Sequence, residues 1–406
     1  MNARSIVLNL FYLSPLFSVM YQFRVGETSA YVFDLLFVFI LLFFLSRGKV
    51  SKSFVAFLIC FSLIVFTGFS ISALKNDNDS QQFLTVYFRY LQIFLFLGCA
   101  FHFLKESPFD DSQFIFKVLI WSSIFPLAYS VVLFYVDPER AIMFGRLAGY
   151  FSNPNYLALF IVIQIPIFNY TLSRIRYSTF YNFFSFLVFY CLSLFCLFFT
   201  GSISGIALAS VAFILSKVFL KELKFVFILG CSGLVVVFLV FLVDPHEIFF
   251  VDSDLVAIKR TSNLINFVLG LDESIVVGSG DIRSLLIKFA SEIILSDVLI
   301  FVFGIGLGQS ALVFGKEFGL SLAPHNTYVT FFLEGGFLLV ALIVFSGFYF
   351  LLRMKKGIRF YSIFIGYGLA MFATPHLYLP FFWCSIGLAM YASLVEDKFF
   401  KERLSV

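Results

Sequence analysis

The sequence predicts an all-α polytopic membrane protein with about twelve transmembrane helices. Three observations predict it. Hydrophobic residues make up 61% of the chain and charged residues 13%, with a mean hydropathy of +1.00, whereas a soluble domain carries about 25% charged residues. Apolar runs long enough to span a bilayer recur along the chain. The short segments between them are basic in alternation.

A span needs about 20 apolar residues. Runs of that kind lie near residues 5–23, 30–46, 53–74, 83–104, 113–136, 151–170, 180–199, 202–220, 223–243, 326–352, 358–374 and 378–395. The first is followed by the polar stretch YQFRVGETS and by further spans, so it reads as an anchor rather than a cleaved leader. The run 298–314, VLIFVFGIGLGQSALVF, is apolar but interrupted by Gly304, Gly306 and Gly308. It reads either as a short span or as a re-entrant or interfacial piece. The 63 phenylalanines fit lipid-facing helices.

Lysine and arginine mark the cytoplasmic side of a membrane protein. They cluster at Arg47, Lys49 and Lys52, at Arg174 and Arg176, and at Lys217, Lys221 and Lys224. Further clusters are Arg353, Lys355, Lys356 and Arg359, then Lys398, Lys401 and Arg403. All fall on one side, with both ends of the chain, if 298–314 does not cross. The expected organisation is therefore nine spans in 1–243, a large extramembrane loop over 244–325, and three spans with a tail in 326–406. That loop contains two amphipathic stretches, 255–270 and 281–296. No internal repeat of the kind seen in secondary transporters is visible.

The six cysteines all lie in apolar runs without a Cys-x-x-Cys pair, which argues against disulfides and metal sites. GxSxG, HExxH and Walker A motifs are absent, as are the paired carboxylates of metal-dependent sugar transfer. The basic residues mark topology rather than a nucleic-acid face.

Candidate functional residues lie on the side opposite the basic loops. Asp34 and Arg89 fall inside spans, where ionisable groups need partners. They are expected to neutralise each other, and Arg89 is equally a candidate for substrate contact. In RLAGYFSNPNYLALF, Asn153 caps a helix, Pro154 takes its first position and Asn155 sits in its first turn. With Arg146 just upstream, that helix start is a seat for an anion such as phosphate. His325 follows Pro324 at the mouth of a span, beside Asn326, and an imidazole there can act as a general base. His376, in ATPHLYLP, is an equal candidate by position alone. Glu334 lies nine positions beyond His325, half a turn around the helix at about 100° per residue. It is expected to pair with an arginine or to hydrogen-bond within the pocket, as support for the site. Arg283 opens the second amphipathic stretch, DIRSLLIKFASEIIL.

Taken in order, GYFSNPNYLALF, TGSISGIALAS, IRSLLIKFASEIIL, FGIGLGQSALVFG and APHNTYVTFFLEGG resemble the O-antigen ligase and O-antigen polymerase (Wzy) superfamily over roughly residues 145–350. The resemblance implies a fold similar to the C-type glycosyltransferases. It implies transfer of glycan from an undecaprenyl-pyrophosphate carrier to an acceptor hydroxyl at the periplasmic face, without a metal or other cofactor. Carried onto this chain, His325 is the base or orienting group and Arg283 binds pyrophosphate. Asn153 and Asn155 line the pocket, while Asn326 and Glu334 are further substrate-side candidates. Where the family has arginine in a Ser-Arg-Ser-Gly span, this chain has Ile203, so Arg146 or Arg89 is expected to supply that charge. The reading this supports is a bacterial inner-membrane polymerase that extends a surface polysaccharide. Its partners would be lipid-linked oligosaccharide, membrane lipid and, left open, a chain-length regulator; no nucleic acid is implied. The alternatives are a ligase acting on lipid A-core and, more distantly, a transporter or flippase of lipid-linked sugars.

Overall fold

The computed structural model describes residues 52–74, 78–106, 112–151, 153–175, 179–220, 277–318, 326–354, 358–374 and 383–392, a strand pair within 22–31, and isolated positions before residue 43. The expected spans 5–23 and 30–46 fall largely outside these residues, as do the whole of 223–243 and the amphipathic stretch 255–270. Near the start, β1 (Gln22–Val25) pairs antiparallel with β2 (Thr28–Tyr31), so backbone at the expected ends of the first two spans is extended.

The long helices follow the apolar runs: α1 (Lys52–Ala73), α2 (Ser80–Glu106), α3 (Ser112–Val136), and then the single turn α4 (Pro138–Ala141). A two-residue hairpin, β3 (Ile142–Met143) with β4 (Arg146–Leu147), precedes α5 (Pro154–Arg174), α6 (Thr179–Thr200) and α7 (Ile203–Phe219). Within the stretch expected to form the large loop lie α8 (Val277–Ser296), α9 (Val298–Phe303) and α10 (Ser310–Phe318), and α11 (Thr327–Met354) follows it. The chain closes with α12 (Ile358–Tyr361), a 3-10 turn at Ser362–Phe364, α13 (Ile365–Ala370) and α14 (Trp383–Ala392). Among the described residues, five helices are long and apolar enough to cross a membrane: α1, α5 and α6 in full, and the greater parts of α3 and α11. The protein is a helical membrane protein.

Two runs are not single helices. The run 298–314, left open between a short span and a re-entrant or interfacial piece, is split between α9 and α10, and six residues of α9 rise only about 9 Å, against roughly 30 Å of hydrocarbon. It does not cross as a helix. The run 358–374 is not one helix either but three short pieces, α12, the 3-10 turn and α13.

The centre of the bundle is α5. Inside its most apolar window 83% of residues are buried, against 17% for α1, so α5 is surrounded by protein and α1 is largely exposed. Hydrocarbon cannot satisfy polar groups, so buried ones pair between helices. Gln164 on α5 accepts from Ser123 Oγ of α3 at 2.9 Å and donates to Ser385 Oγ of α14 at 3.0 Å. Asn169 on α5 donates to Ser216 Oγ of α7 at 2.8 Å and accepts from Tyr190 OH of α6 at 3.0 Å.

Helix alternation collects the starts of α2, α5, α7 and α11 and the ends of α1, α3 and α6 at one end of the bundle. Lys52, Arg174 and Lys217 fall at the other, where Gln113 at the start of α3 donates to the Arg174 carbonyl at 3.3 Å.

Candidate functional site

The first constellation lies at the end of the bundle opposite those basic residues. After α3, Asp137 caps α4 by accepting from Arg140 N, and the chain reverses through β3 and β4. The turn between them is Phe144-Gly145, both with positive φ, at 54° and 67°. A primed turn of that kind suits the twist of a hairpin, yet a bulky residue rarely adopts it. The turn delivers Arg146 to the start of α5.

There Arg146 Nε donates to the Thr200 carbonyl at 2.5 Å, and its Nη2 donates to Asn155 Oδ1 at 3.0 Å. One guanidinium thus ties the last residue of α6 to the first turn of α5. Asn153 caps α5 as expected, its Oδ1 accepting from Asn155 N at 2.8 Å, with Pro154 following. Ser202 caps α7 in the same way, accepting from Gly205 N at 3.2 Å. Two helix N-termini and a half-buried arginine therefore share one corner, and each favours negative charge. The structure brings Arg146, Asn153 and Asn155 together. Ile203 is the first residue of α7, three positions after the carbonyl that Arg146 holds.

A second constellation is built around the glycine-rich break. Glu334 on α11 is 2% exposed. It accepts from Ser310 Oγ at 2.5 Å and from Ser310 N at 3.3 Å, at the start of α10. Its carboxyl therefore sits at that helix's N-terminus, accepting from the first turn. Backbone bonds run alongside, from Ile305 N to the Leu333 carbonyl and from Gly306 N to the Glu334 carbonyl, both 2.9 Å. Gln309 reaches back to the start of α2: its Oε1 accepts from Asp79 N and its Nε2 donates to the Asp79 carbonyl, both at 2.9 Å. Between α8, α9 and α10 lies a cavity of about 330 Å³, lined by Phe289, Ile293, Ile300 and Leu312 and edged by Asn78 and Gln309 among others.

Asn326 caps α11, its Oδ1 accepting from Tyr328 N at 3.0 Å and from Val329 N at 3.2 Å. Thr327 fastens the same end to the chain after α13, donating from N to the Met371 carbonyl at 2.7 Å and from Oγ1 to the Thr374 carbonyl at 2.6 Å. His325 and His376 lie outside the described residues. Arg283 lies on α8, in the backbone of the helix; its side chain is outside the described set.

Arg89 Nη1 donates to Asp34 Oδ1 at 2.5 Å and to Gln92 Oε1 at 3.1 Å, while Gln92 Nε2 donates to Asp34 Oδ1 at 2.8 Å. The Asp34–Arg89 pairing expected from the sequence is present.

Thr200, Gln309, Ser310 and Asp79 were not legible as site residues. A serine directly after Gly-x-Gly-x-Gly-Gln is the one local signal, as the start of a helix after a turn. No family model matches the chain, and no curated protein matches its sequence.

Proposed function

We propose that the protein is a glycan polymerase of a bacterial surface polysaccharide. It spans the inner membrane about twelve times, with the basic loops and both ends in the cytoplasm and the 244–325 loop in the periplasm. The observation that carries the reading is the Arg146–Asn155 corner. It gathers a cation and two helix N-termini on segments that resemble the O-antigen polymerase and ligase superfamily. Such a corner suits an anionic pyrophosphate. Arg146 there stands beside the segment in which Ile203 replaces the family's arginine.

In the proposed reaction, a hydroxyl of the acceptor repeat unit attacks the anomeric carbon of the donor glycan. The bond from that carbon to the pyrophosphate oxygen breaks, undecaprenyl pyrophosphate leaves with the electron pair, and His325 takes the hydroxyl proton. Arg283 and Arg146 stabilise charge developing on the leaving group, an effect that is large in a low-dielectric site. The cavity between α8, α9 and α10 has an apolar wall of Phe289, Ile293, Ile300 and Leu312, which suits hydrocarbon, and a polar rim of Asn78, Gln309, Lys316 and Glu317. That supports a lipid-borne substrate.

Gene deletion tests the reading. A strain whose lipopolysaccharide carries a single repeat unit supports the polymerase. Loss of all surface glycan, with long chains retained on the carrier, replaces it with the ligase. Purified protein that translocates lipid-linked sugar without forming a bond replaces it with a flippase.

A further inference from the structure

Glu334 supplies the side-chain hydrogen bonds from α11, which follows His325, to the start of α10, beside the backbone bonds of Ile305 and Gly306 to the Leu333 and Glu334 carbonyls. Its carboxylate holds Ser310 and so the start of α10. On α10, Phe314 is fully buried and packs edge-on against Phe289 of α8, with ring centroids 5.2 Å apart, and Phe318 packs on the same ring at 5.1 Å. Leu286, Ala290 and Ile294 of α8 share one apolar cluster with Ile305, Phe314 and Leu333. Arg283 stands six residues before Phe289 on the same helix. A continuous path therefore runs from Glu334 through Ser310 and Phe314 to Phe289 and the helix of Arg283.

Apolar packing alone specifies such a register poorly inside a membrane, because lipid competes equally for apolar surface. A carboxylate does not have that alternative. Glu334 is 2% exposed, and without Ser310 a buried carboxyl lacking hydrogen bonds is costly.

We infer that Glu334 is a positioning residue: through Ser310 and α10 it locks the helix of Arg283 against the helix that begins beside His325. The inference rests on the proposed polymerase reading for its functional consequence, but not for its structural one.

The test is amide hydrogen exchange, read by mass spectrometry, on the full chain in lipid nanodiscs, comparing wild type with Glu334→Ala, Glu334→Gln and Ser310→Ala. The alanine variants are expected to exchange roughly tenfold faster or more in peptides covering 284–296 and 304–318, with α5 unchanged. Glutamine keeps an acceptor but not the charge, so it should fall between alanine and wild type. Wild-type exchange in both segments of Glu334→Ala overturns the inference, as does an increase spread evenly over α5. Should Glu334→Ala fail to insert, Ser310→Ala, which removes only a hydroxyl, decides the matter. Elongation of a lipid-linked repeat unit is measured in parallel. The alanine variant should lose kcat with KM little changed, and glutamine should recover part of it; equal kcat for Glu334→Ala and wild type overturns the positioning role. A wild-type protein that never elongates such a unit defeats the polymerase reading, while the exchange result still decides the lock.

Discussion

Gly304 and Gly336 adopt one and the same backbone conformation and lie against each other: φ 76° and ψ −176° for the first, φ 66° and ψ −176° for the second. That region is open almost only to glycine. A Cβ on Gly336 would stand 2.5 Å from Gly304 N, and one on Gly304 would collide with the Glu334 carbonyl. The pair ends α9, breaks α11 and lets the two backbones touch. Gly304→Ala and Gly336→Ala should each destabilise the protein by at least about 1–3 kcal/mol from backbone strain alone. A fall in Tm in detergent measures it, and an unchanged Tm for both would show that the contact is not formed.

Arg89 and Asp34 answer each other across two expected spans, with Gln92 completing the triad. Arg89→Ala leaves a partly buried carboxylate without its cation, which costs about 1–3 kcal/mol. Combining it with Asp34→Ala should recover stability. If the double variant also recovers polymer in cells, Arg89 is structural. A stable double variant without polymer assigns Arg89 to the substrate.

Arg146→Ala removes the tie between Thr200 and Asn155 and the positive charge at two helix starts. Polymer should be lost, while Arg146→Lys, a point charge without the planar fork, should retain only part of the activity. Asn153→Ala removes a cap worth about 1 kcal/mol, so it should lower Tm modestly with a smaller effect on polymer. Normal chain-length ladders from Arg146→Ala would take that corner out of the reaction.

His325→Ala and Arg283→Ala should each abolish polymer with the protein still in the membrane, judged by immunoblot and gel ladder. His376→Ala should leave the ladder intact. The reverse pattern for the two histidines would move the base to His376.

Helix formation in a membrane is a local matter: each N–H bonds a carbonyl four residues away, and hydropathy read along the chain finds where that happens. Seven of the expected spans, from 53–74 to 202–220 and 326–352, therefore coincide with helices. The cap Asn153 and the break in 298–314 were equally legible, since both depend on neighbours in sequence. The Asp34–Arg89 pair was legible for another reason: intramembrane charges are few and each needs a partner.

What the sequence by itself determined is thus seven of the helices, to within a few residues at their ends, and the cap and glycine break that depend on neighbours in sequence. Only the tertiary structure decided which faces meet. Phe61 is fully buried and Phe66, five positions on in the same helix, is 42% exposed; hydrocarbon is as hospitable to phenylalanine as a protein core is, so periodicity cannot separate them. Likewise Glu334 meets Ser310, and Gln309 meets Asp79 across 230 positions of chain. Those contacts exist because two glycine breaks let backbones approach and because a polar group buried from water must find its partner wherever the fold supplies one.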